Sequence, residues 1–266
     1  MRPIGIAAVC AVLILAGCSD ATSSEVGGST SSSDAQATEI TVFAGSSLTA
    51  AFESLATEFE ADHPGVTVTF NFGPSDGLAA QIDSEGGADV FASASQTWMD
   101  DVAEKTGVTG RTDFVTNKLV VITSLDDPAG ISSLEDLGRD GVQVVLAAEG
   151  VPVGDYAREC LQNAGLEEAV LDNVVSNAED DAAVVATITG GEADAGIVYV
   201  SDVTAEVAPH VNAIEIAEDV NVIATYPIAV VQDSGHAEVA QEWVDFVSTG
   251  AGQQALVDEF GFLPAA

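Results

Sequence analysis

The sequence predicts an α/β protein of two doubly wound lobes with a ligand cleft between them, and three observations carry this prediction. Apolar residues make up 47% of the 266 positions, which is enough to form the core of one large domain or of two smaller lobes. From residue 39 onward, short β-rich runs alternate with helical patterns, which is typical of a parallel sheet covered by helices. The alternation restarts near residue 118, which indicates a second lobe.

The first lobe begins with three predicted strands, at 39–44, 66–72 and 88–94. A helix between the first two is indicated by apolar residues at spacings of three and four, namely Leu48, Phe52, Leu55, Ala56 and Phe59. A second helix, closed by two glycines, is predicted within 75–87. After the third strand, Trp98 and Met99 are interpreted as core residues.

The second half of the chain repeats the alternation of strand and helix. Strands are predicted at 118–123, 142–147, 173–176, 194–200 and 223–231, and helices at 153–164, 179–189, 236–248 and 251–260. The predicted crossings between lobes fall near 117–120 and near 224–228. We therefore expect 39–118 and 225–266 to form lobe I and 119–224 to form lobe II, with a cleft that can enclose a ligand.

The charge of the chain excludes one class of partner. Asp and Glu number 43 against 6 Lys and Arg, which gives a formal charge of −37 at pH 7. The phosphate backbone of a nucleic acid would be repelled, so we expect no nucleic-acid partner. Any anion that this protein binds must be held by neutral dipoles or by very few cations.

The N-terminus carries a targeting signal. A short apolar run, too short for a stable membrane span, ends in Leu15-Ala16-Gly17-Cys18, which resembles the lipobox of bacterial lipoprotein signal peptides. The resemblance implies a signal peptide at 1–17 and acylation of Cys18, whereas an ordinary signal peptide with an incidental cysteine is the alternative. Residues 18–38 are rich in Ser, Thr and Gly and predict a flexible linker. We expect a lipid anchor alone to hold the protein on the extracytoplasmic face of the cell membrane.

Several kinds of active site lack their residues in this sequence. The three histidines, His63, His210 and His236, have no Cys or carboxylate partners at metal-ligand spacing. No P-loop is present, so nucleotide turnover lacks an essential part. We expect no metal ion, no cofactor and no enzymatic activity. Cys160 is expected to be a small buried residue within a helix.

Small polar residues gather where predicted strands lead into predicted helices. The junctions carry Ser46 and Ser47, Ser75, Val153, and Asp181. Each places free backbone N–H groups at a helix N-terminus, where an anion can bind without Lys or Arg. Taken singly, each junction is better explained by N-capping, because Ser and Asp are preferred caps. The pattern alone leaves both interpretations open.

Seven segments of the body stand in a recognisable order and spacing. They are ITVFAGSSLTAAFESLATEFE, FGPSDGLAAQI, ADVFASASQTWMD, NKLVVI, GVPVGDYARECL, AEDDAAVVATITGGEADAGIVYVSD and YPIAVV. Together they resemble the molybdate-binding proteins of ABC importers, from about Ile40 to Leu263. The resemblance implies a type II periplasmic-binding-protein fold that closes over a tetrahedral oxyanion and delivers it to an ABC permease. We expect a monomer.

The same resemblance implies which groups hold the anion. In that family two serines, two backbone amides and one tyrosine hydroxyl hold the oxyanion. Matched motif by motif, they fall on Ser47 and Ser75, on the amides of Val153 and Asp181, and on the hydroxyl of Tyr199. The amide at Asp181 usually belongs to an uncharged residue, so its carboxylate must point away from the ligand or be compensated.

A site made only of donors suits molybdate or tungstate, which carry no proton near neutral pH, and predicts binding without proton uptake. Phosphate keeps a proton and needs an acceptor, a part that Asp181 can play, so another tetrahedral oxyanion such as phosphate or sulfate is the main alternative. A receptor for ferric ion or a polyamine is a weaker alternative. The tyrosines of this chain are scattered along the sequence, and aromatic residues make up only 6% of it.

Overall fold

The computed structural model describes residues 37–265. The predicted signal peptide at 1–17, the predicted acylation site Cys18 and the predicted linker up to residue 36 lie outside the described residues. In the described part of the chain, no helix combines the length and the apolar character that a membrane span requires.

Residues 37–265 form ten strands and eight α-helices. The strands are β1 (Thr38–Gly45), β2 (Val66–Gly73), β3 (Val90–Ala92), β4 (Val108–Ser124), β5 (Val144–Ala147), β6 (Val174–Ala178), β7 (Ala195–Tyr199), β8 (Val211–Glu215), β9 (Ile223–Val231) and β10 (Leu263–Pro264). The helices are α1 (Thr49–Asp62), α2 (Ser75–Glu85), α3 (Gln96–Lys105), α4 (Pro152–Asn163), α5 (Glu167–Leu171), α6 (Asp181–Thr189), α7 (Ala237–Ser248) and α8 (Gly250–Asp258).

A mixed sheet connects these strands in the order β2-β1-β3-β9-β4-β7-β5-β6, while β8 and β10 each pair with β4. β1 is parallel to β2 and β3, and β5 is parallel to β6 and β7. β9 runs antiparallel between β3 and β4. The two parallel groups, each with helices between its strands, are the doubly wound arrangement that the sequence predicts.

The long strand β4 joins the two parallel groups. Its residues 108–118 pair with β9, and its residues 119–124 pair with β7 and β8. We call β1, β2, β3, β9, β10 and the first part of β4 the first sheet segment, and β5 to β8 with the rest of β4 the second sheet segment. The partner change falls between Lys118 and Leu119. The assignment of 39–118 and 225–266 to lobe I and of 119–224 to lobe II stays a prediction.

The apolar spacing seen in the sequence places α1 on the core. Phe52 and Phe59 are fully buried, and their rings meet the ring of Trp243 edge to face at centroid distances of 5.4 and 5.3 Å. Burial of one such side chain stabilises the fold by about 1.5–3 kcal/mol. Cys160 is also fully buried, and burial raises the pKa of its thiol to about 11. The interpretation of Cys160 as a small buried residue is therefore confirmed.

The start of β4 departs from the sequence prediction. A strand is predicted only at 118–123, whereas β4 begins ten residues earlier at Val108. The added part contains Gly110 and several exposed polar residues, and its register with β9 shifts twice. Such a segment lacks the alternation of apolar and polar residues by which strands are recognised. Its pairing with β9 is what makes it a strand.

Trp98 packs against the core, as predicted, and also makes a polar contact. Met99 is fully buried, as expected, but Trp98 is only partly buried. Its Nε1 donates a hydrogen bond of 2.8 Å to the carbonyl oxygen of Gly150, in the loop before α4. Gly150 has a φ of +88°, a left-handed conformation that favours glycine. Trp98 thus ties α3 to the loop that leads into α4.

Candidate functional site

A small cavity lies beyond the carboxyl ends of strands from both sheet segments, where open α/β sheets commonly bind ligands. It is lined by Gly45, Ser46, Ser47, Gly73, Pro74, Ser75, Ala94, Val151, Pro152, Val153, Asp181 and Tyr199. Its volume, measured for the centre of a water-sized sphere, is ≈ 10 Å³. That is room for about one water molecule. The cavity suits a very small ligand, and its walls must part slightly for a tetrahedral oxyanion.

The cavity brings together all five residues that the sequence analysis assigns to the anion. Ser47, Ser75, Val153, Asp181 and Tyr199 each line it. Ser47 follows β1, and Tyr199 ends β7. Ser75 and Asp181 begin α2 and α6, and Val153 is the second residue of α4. Their contact with an anion stays a prediction, but their meeting in one cavity is a property of the fold.

Three helices begin at the cavity. Ser75 is the first residue of α2, Val153 the second residue of α4, and Asp181 the first residue of α6. The first amides of a helix have no acceptor within that helix, and the N-terminus carries about half a positive charge. The three N-termini together create a region that favours an anion without any charged side chain.

N-capping explains only one of these junctions. Asp180 is the N-cap of α6, and its carboxylate accepts a hydrogen bond of 2.8 Å from the N–H of Ala183. The N-caps of α2 and α4 are Pro74 and Val151, and neither makes a side-chain capping bond. The Ser75 hydroxyl instead accepts a hydrogen bond of 3.0 Å from the N–H of Ala94. That bond leaves the hydroxyl proton of Ser75 to donate elsewhere.

The hydroxyl of Ser47 belongs to a buried polar network. Its Oγ lies 2.9 Å from Oη of Tyr226, and either oxygen can be the donor. Asn117 stands beside this pair and donates from Nδ2 to Oγ of Ser201 over 2.8 Å. The rings of Tyr226 and Tyr199 lie 5.7 Å apart. Sequence reasoning treated Tyr226 as an isolated tyrosine, because the pairing of β9 that brings it here leaves no local pattern.

Tyr199 places an unpartnered hydroxyl at the cavity. The residue is 1% exposed, and its Oη has no hydrogen-bond partner among the described residues. Burial, with smaller contributions from nearby tyrosines and carboxylates, holds the pKa of this hydroxyl well above its usual range. The hydroxyl therefore keeps its proton and is available as a donor.

Asp181 lines the cavity, and its carboxyl group has one hydrogen-bond donor. The Ser46 hydroxyl donates to its Oδ1, and its Oδ2 is buried without an N–H or hydroxyl donor among the described residues. The Asp202 carboxyl is its neighbour and accepts a hydrogen bond of 2.8 Å from the N–H of Tyr199. Burial raises the pKa of Asp181, while hydrogen bonds from Ser46 and Asp202 oppose that rise.

Asp202 was missed by the sequence analysis. Burial first, and then the charge and the hydrogen bond of Asp181, hold the pKa of Asp202 well above its usual range. The available signal was the position of Asp202 three residues after Tyr199, where an acidic side chain can reach back to a free backbone N–H. The contact with Asp181 depends on the folded structure.

Positive charge is kept out of the cavity. Its lining contains neither Lys nor Arg. Arg158 lies nearby, but its Nη1 donates to the carbonyl oxygens of Ala147 and Gly154, each over 2.8 Å. Arg158 therefore fastens α4 to the end of β5. Within residues 37–265, no cluster of three or more His, Cys, Asp or Glu side chains is arranged to hold a metal ion.

The chain belongs to the family of bacterial extracellular solute-binding proteins, whose model matches residues 40–263. Proteins of this kind bind a solute outside the cytoplasm and do not catalyse a reaction, so the chain is a solute-binding protein and not an enzyme. The family fits the extracytoplasmic location that the N-terminal signal predicts.

Two relatives carry names that refer to molybdate or molybdenum. The molybdate-binding protein ModA of Mycobacterium tuberculosis (strain H37Rv) is 37% identical over 227 residues, which are 85% of this chain and 85% of the relative. A solved substrate-binding domain from Clostridium difficile, assigned to a molybdenum ABC transporter, is 31% identical with a TM-score of 0.66 and covers 86% of this chain and 100% of its own. These relatives confirm the resemblance on which the sequence analysis relied.

A more distant structure bears on the fold alone. The periplasmic molybdate-binding protein of Azotobacter vinelandii has a TM-score of 0.75 at 16% identity and covers 85% of this chain and 100% of its own. The predicted fold class, two α/β lobes of the periplasmic-binding type, is confirmed.

The raised pKa of Asp202 predicts a stability that depends on pH. The folded state disfavours the ionised carboxylate, so the free energy of unfolding falls as pH rises above the unfolded value of about 3.9. We expect Asp202→Asn to become increasingly stable relative to the parent as pH rises from 4 to 8, because the amide cannot ionise. Thermal or urea unfolding across this range measures the difference. Glu179→Gln, which removes an exposed carboxylate, is the control and should track the parent. A difference for Asp202→Asn that does not change with pH would contradict the expectation.

Proposed function

We propose that this protein captures molybdate or tungstate outside the cytoplasm and delivers the oxyanion to an ABC importer. The observation that carries the proposal is the cavity itself, which is lined by Ser47, Ser75 and Tyr199 and by the N-termini that begin near Val153 and Asp181. These groups are hydrogen-bond donors that carry no full charge. Relatives named for molybdate binding support this choice of ligand.

The strength of such a site follows from its donors. Hydrogen bonds to a charged acceptor contribute roughly 1.5–3 kcal/mol each. Five donors then contribute roughly 8–15 kcal/mol before the costs of closure and ordering are subtracted. A micromolar complex requires about −8 kcal/mol, so micromolar affinity or better is within reach without any cation.

The anchor and the assembly belong to the same proposal. The lipobox-like segment that ends at Cys18 supports acylation of that residue and attachment to the extracytoplasmic face of the cell membrane. The protein would act as a monomer without a cofactor, with the ABC permease as its protein partner. Mass spectrometry of the membrane fraction tests the anchor, because acylated Cys18 would be the first residue of the mature chain.

One observation favours a second candidate ligand. Asp181 lines the cavity, and a carboxylate there would accept a hydrogen bond from a protonated oxygen of the ligand. Phosphate keeps a proton at neutral pH, so a phosphate receptor would use Asp181 as its acceptor. Sulfate has no proton to offer and would gain nothing from that group.

Titration of the purified protein with molybdate, tungstate, sulfate and phosphate tests the proposal. We expect molybdate and tungstate to bind at least a hundredfold more tightly than sulfate and phosphate. Ser47→Ala should weaken molybdate binding by about 3- to 10-fold, because Ser47 exchanges its bond with Tyr226 for one to the anion and the net contribution of such an exchange is about 0.5–1.5 kcal/mol.

Ser84→Ala is the matched control for Ser47→Ala. Ser84 is an exposed serine of α2 whose hydroxyl donates to the carbonyl oxygen of Ala80. Its removal should leave the affinity for molybdate unchanged. Preferred binding of phosphate would establish the second candidate, and a Ser47→Ala variant as tight as the parent would remove Ser47 from the site.

A further inference from the structure

Two acidic residues, Asp181 and Asp202, line one cavity next to the proposed anion site, and no Lys or Arg lines it with them. Asp181 is 3% exposed and Asp202 is partly buried. The salt bridges among the described residues include neither of them. Two carboxylates this close and this shielded from water cannot both be ionised at low cost. Ionisation of both carboxyls at once is therefore unfavourable, and a dianion nearby makes it more so.

The surroundings of the pair strengthen this argument. The titratable groups that face it from the neighbouring elements are Asp180 before α6, Tyr199 of β7, Tyr226 of β9, Glu53 of α1 and Glu206 beyond Asp202. All of them are acids, and none can supply a positive charge. The strands that pack against α6 from the second sheet segment contribute apolar side chains to its buried face.

Asp181 is also the contact that separates two cavities. It lines the small anion cavity and, with Ser46, Ser47 and Asp202, a second and wider cavity of ≈ 320 Å³ next to it. The Ser46 hydroxyl follows β1 of the first sheet segment, and Asp181 begins α6 beside the second sheet segment. An anion in the small cavity would therefore lie next to Asp181, with Asp202 on the other side of that residue.

We propose that the Asp181–Asp202 pair is a proton-binding site that loads when the oxyanion binds. The inference rests on the proposed function, because it needs a dianion in the small cavity. A dianion beside two acids raises their affinity for a proton. By linkage, protonation of the pair raises the affinity of the site for the dianion. The proton comes from the solvent and forms an O–H bond on one carboxyl oxygen, with no other bond made or broken.

This inference replaces the expectation of binding without proton uptake. That expectation considers a pocket made of donors alone and does not include the neighbouring residue Asp202. Serine, tyrosine and amide donors do not titrate near neutral pH, so the carboxyl pair is where the linked proton resides. It also gives Asp181 a role, since its paired carboxyl becomes neutral when the ligand is present.

Isothermal titration calorimetry with molybdate, in two buffers of different ionisation enthalpy at pH 6, 7 and 8, tests the proposal. We expect uptake of about 0.3–1 proton, and hence a Kd that weakens by about 2- to 10-fold for each unit of rising pH. Asp181→Asn keeps the size, the backbone amide and an acceptor for Ser46, but it cannot take the proton. Its uptake should fall close to zero and its Kd should become nearly independent of pH.

Two further variants make the result decisive. Glu179→Gln removes an exposed charge two residues from Asp181 and should keep the full uptake of the parent. Asp202→Asn leaves one carboxyl of the pair and should reduce the uptake, which provides a second reading if Asp181→Asn does not fold. Tight molybdate binding without proton uptake would overturn the inference alone, as would uptake that persists in both Asn variants. Failure of molybdate to bind at every pH would instead refute the proposed function.

Discussion

Replacing Tyr199 with phenylalanine is expected to weaken molybdate binding by roughly 10- to 150-fold, the equivalent of one hydrogen bond to a charged acceptor at about 1.5–3 kcal/mol. The hydroxyl is buried at the cavity and has no hydrogen-bond partner among the described residues. Unlike Ser47, it gives up no internal bond when it turns to an anion. Calorimetric titration of the variant against the parent measures the loss.

The same substitution should leave the ligand-free protein as stable as the parent, or more stable. A buried hydroxyl without a partner costs about 1–3 kcal/mol, and phenylalanine removes that cost while keeping the ring. Tyr156→Phe is the matched control, because Tyr156 is a half-buried tyrosine that does not line the cavity. It should bind molybdate as the parent does. Weaker binding with unchanged stability identifies Tyr199 as a ligand group; equal loss in both variants would contradict this assignment.

A methyl group at Gly154 is expected to disrupt the site by displacing α4 from the end of β5. A Cβ at this position would lie 2.3 Å from the carbonyl oxygen of Ala148 and 2.5 Å from that of Ala147. Both are backbone atoms at the end of β5, so α4 itself must move, and it carries Val153 with it. We expect Gly154→Ala to lower the free energy of unfolding by about 1–3 kcal/mol or more and to weaken molybdate binding at least tenfold. Urea unfolding and calorimetry measure the two effects.

A second glycine separates damage to the site from general damage. In Gly252→Ala, the new Cβ would lie 2.3 Å from the carbonyl oxygen of Phe246, a clash of the same kind in α8. That helix contributes nothing to the lining of the cavity. Gly252→Ala should therefore lose stability while keeping its affinity for molybdate. Equal loss of affinity in both variants would show that Gly154 matters only through overall stability.

Much of the fold could be predicted because local patterns determine it. The strand predicted at 223–231 is β9 with the same bounds, and α1 begins one residue after Leu48, the first apolar residue of its predicted stripe. α1 buries side chains at the helical period, and β9 is a continuous apolar run of strand length; a single sequence reveals both features. The first part of β4 shows the limit of this method, since its pairing with β9 depends on residues more than 100 positions away.

The candidate site divides along the same line. Ser47, Ser75, Val153, Asp181 and Tyr199 were located through family motifs, and the cavity gathers all five. Tyr226 and Asp202 were not located as parts of the site. Tyr226 reaches Ser47 through sheet pairing, and Asp202 reaches Asp181 through the packing of α6 against the end of β7. Contacts between side chains that are distant along the chain leave no periodic trace in one sequence.

The proposed site uses uncharged hydrogen-bond donors within a strongly acidic protein, and this has a consequence for how the ligand arrives. With a formal charge of −37, the protein repels every approaching dianion until dissolved cations gather around its surface. That ionic atmosphere thins to about 8 Å at physiological ionic strength and to about 3 Å in molar salt. If the proposed oxyanion is the ligand, a higher salt concentration would speed its binding, the reverse of the effect on a receptor with a basic entrance.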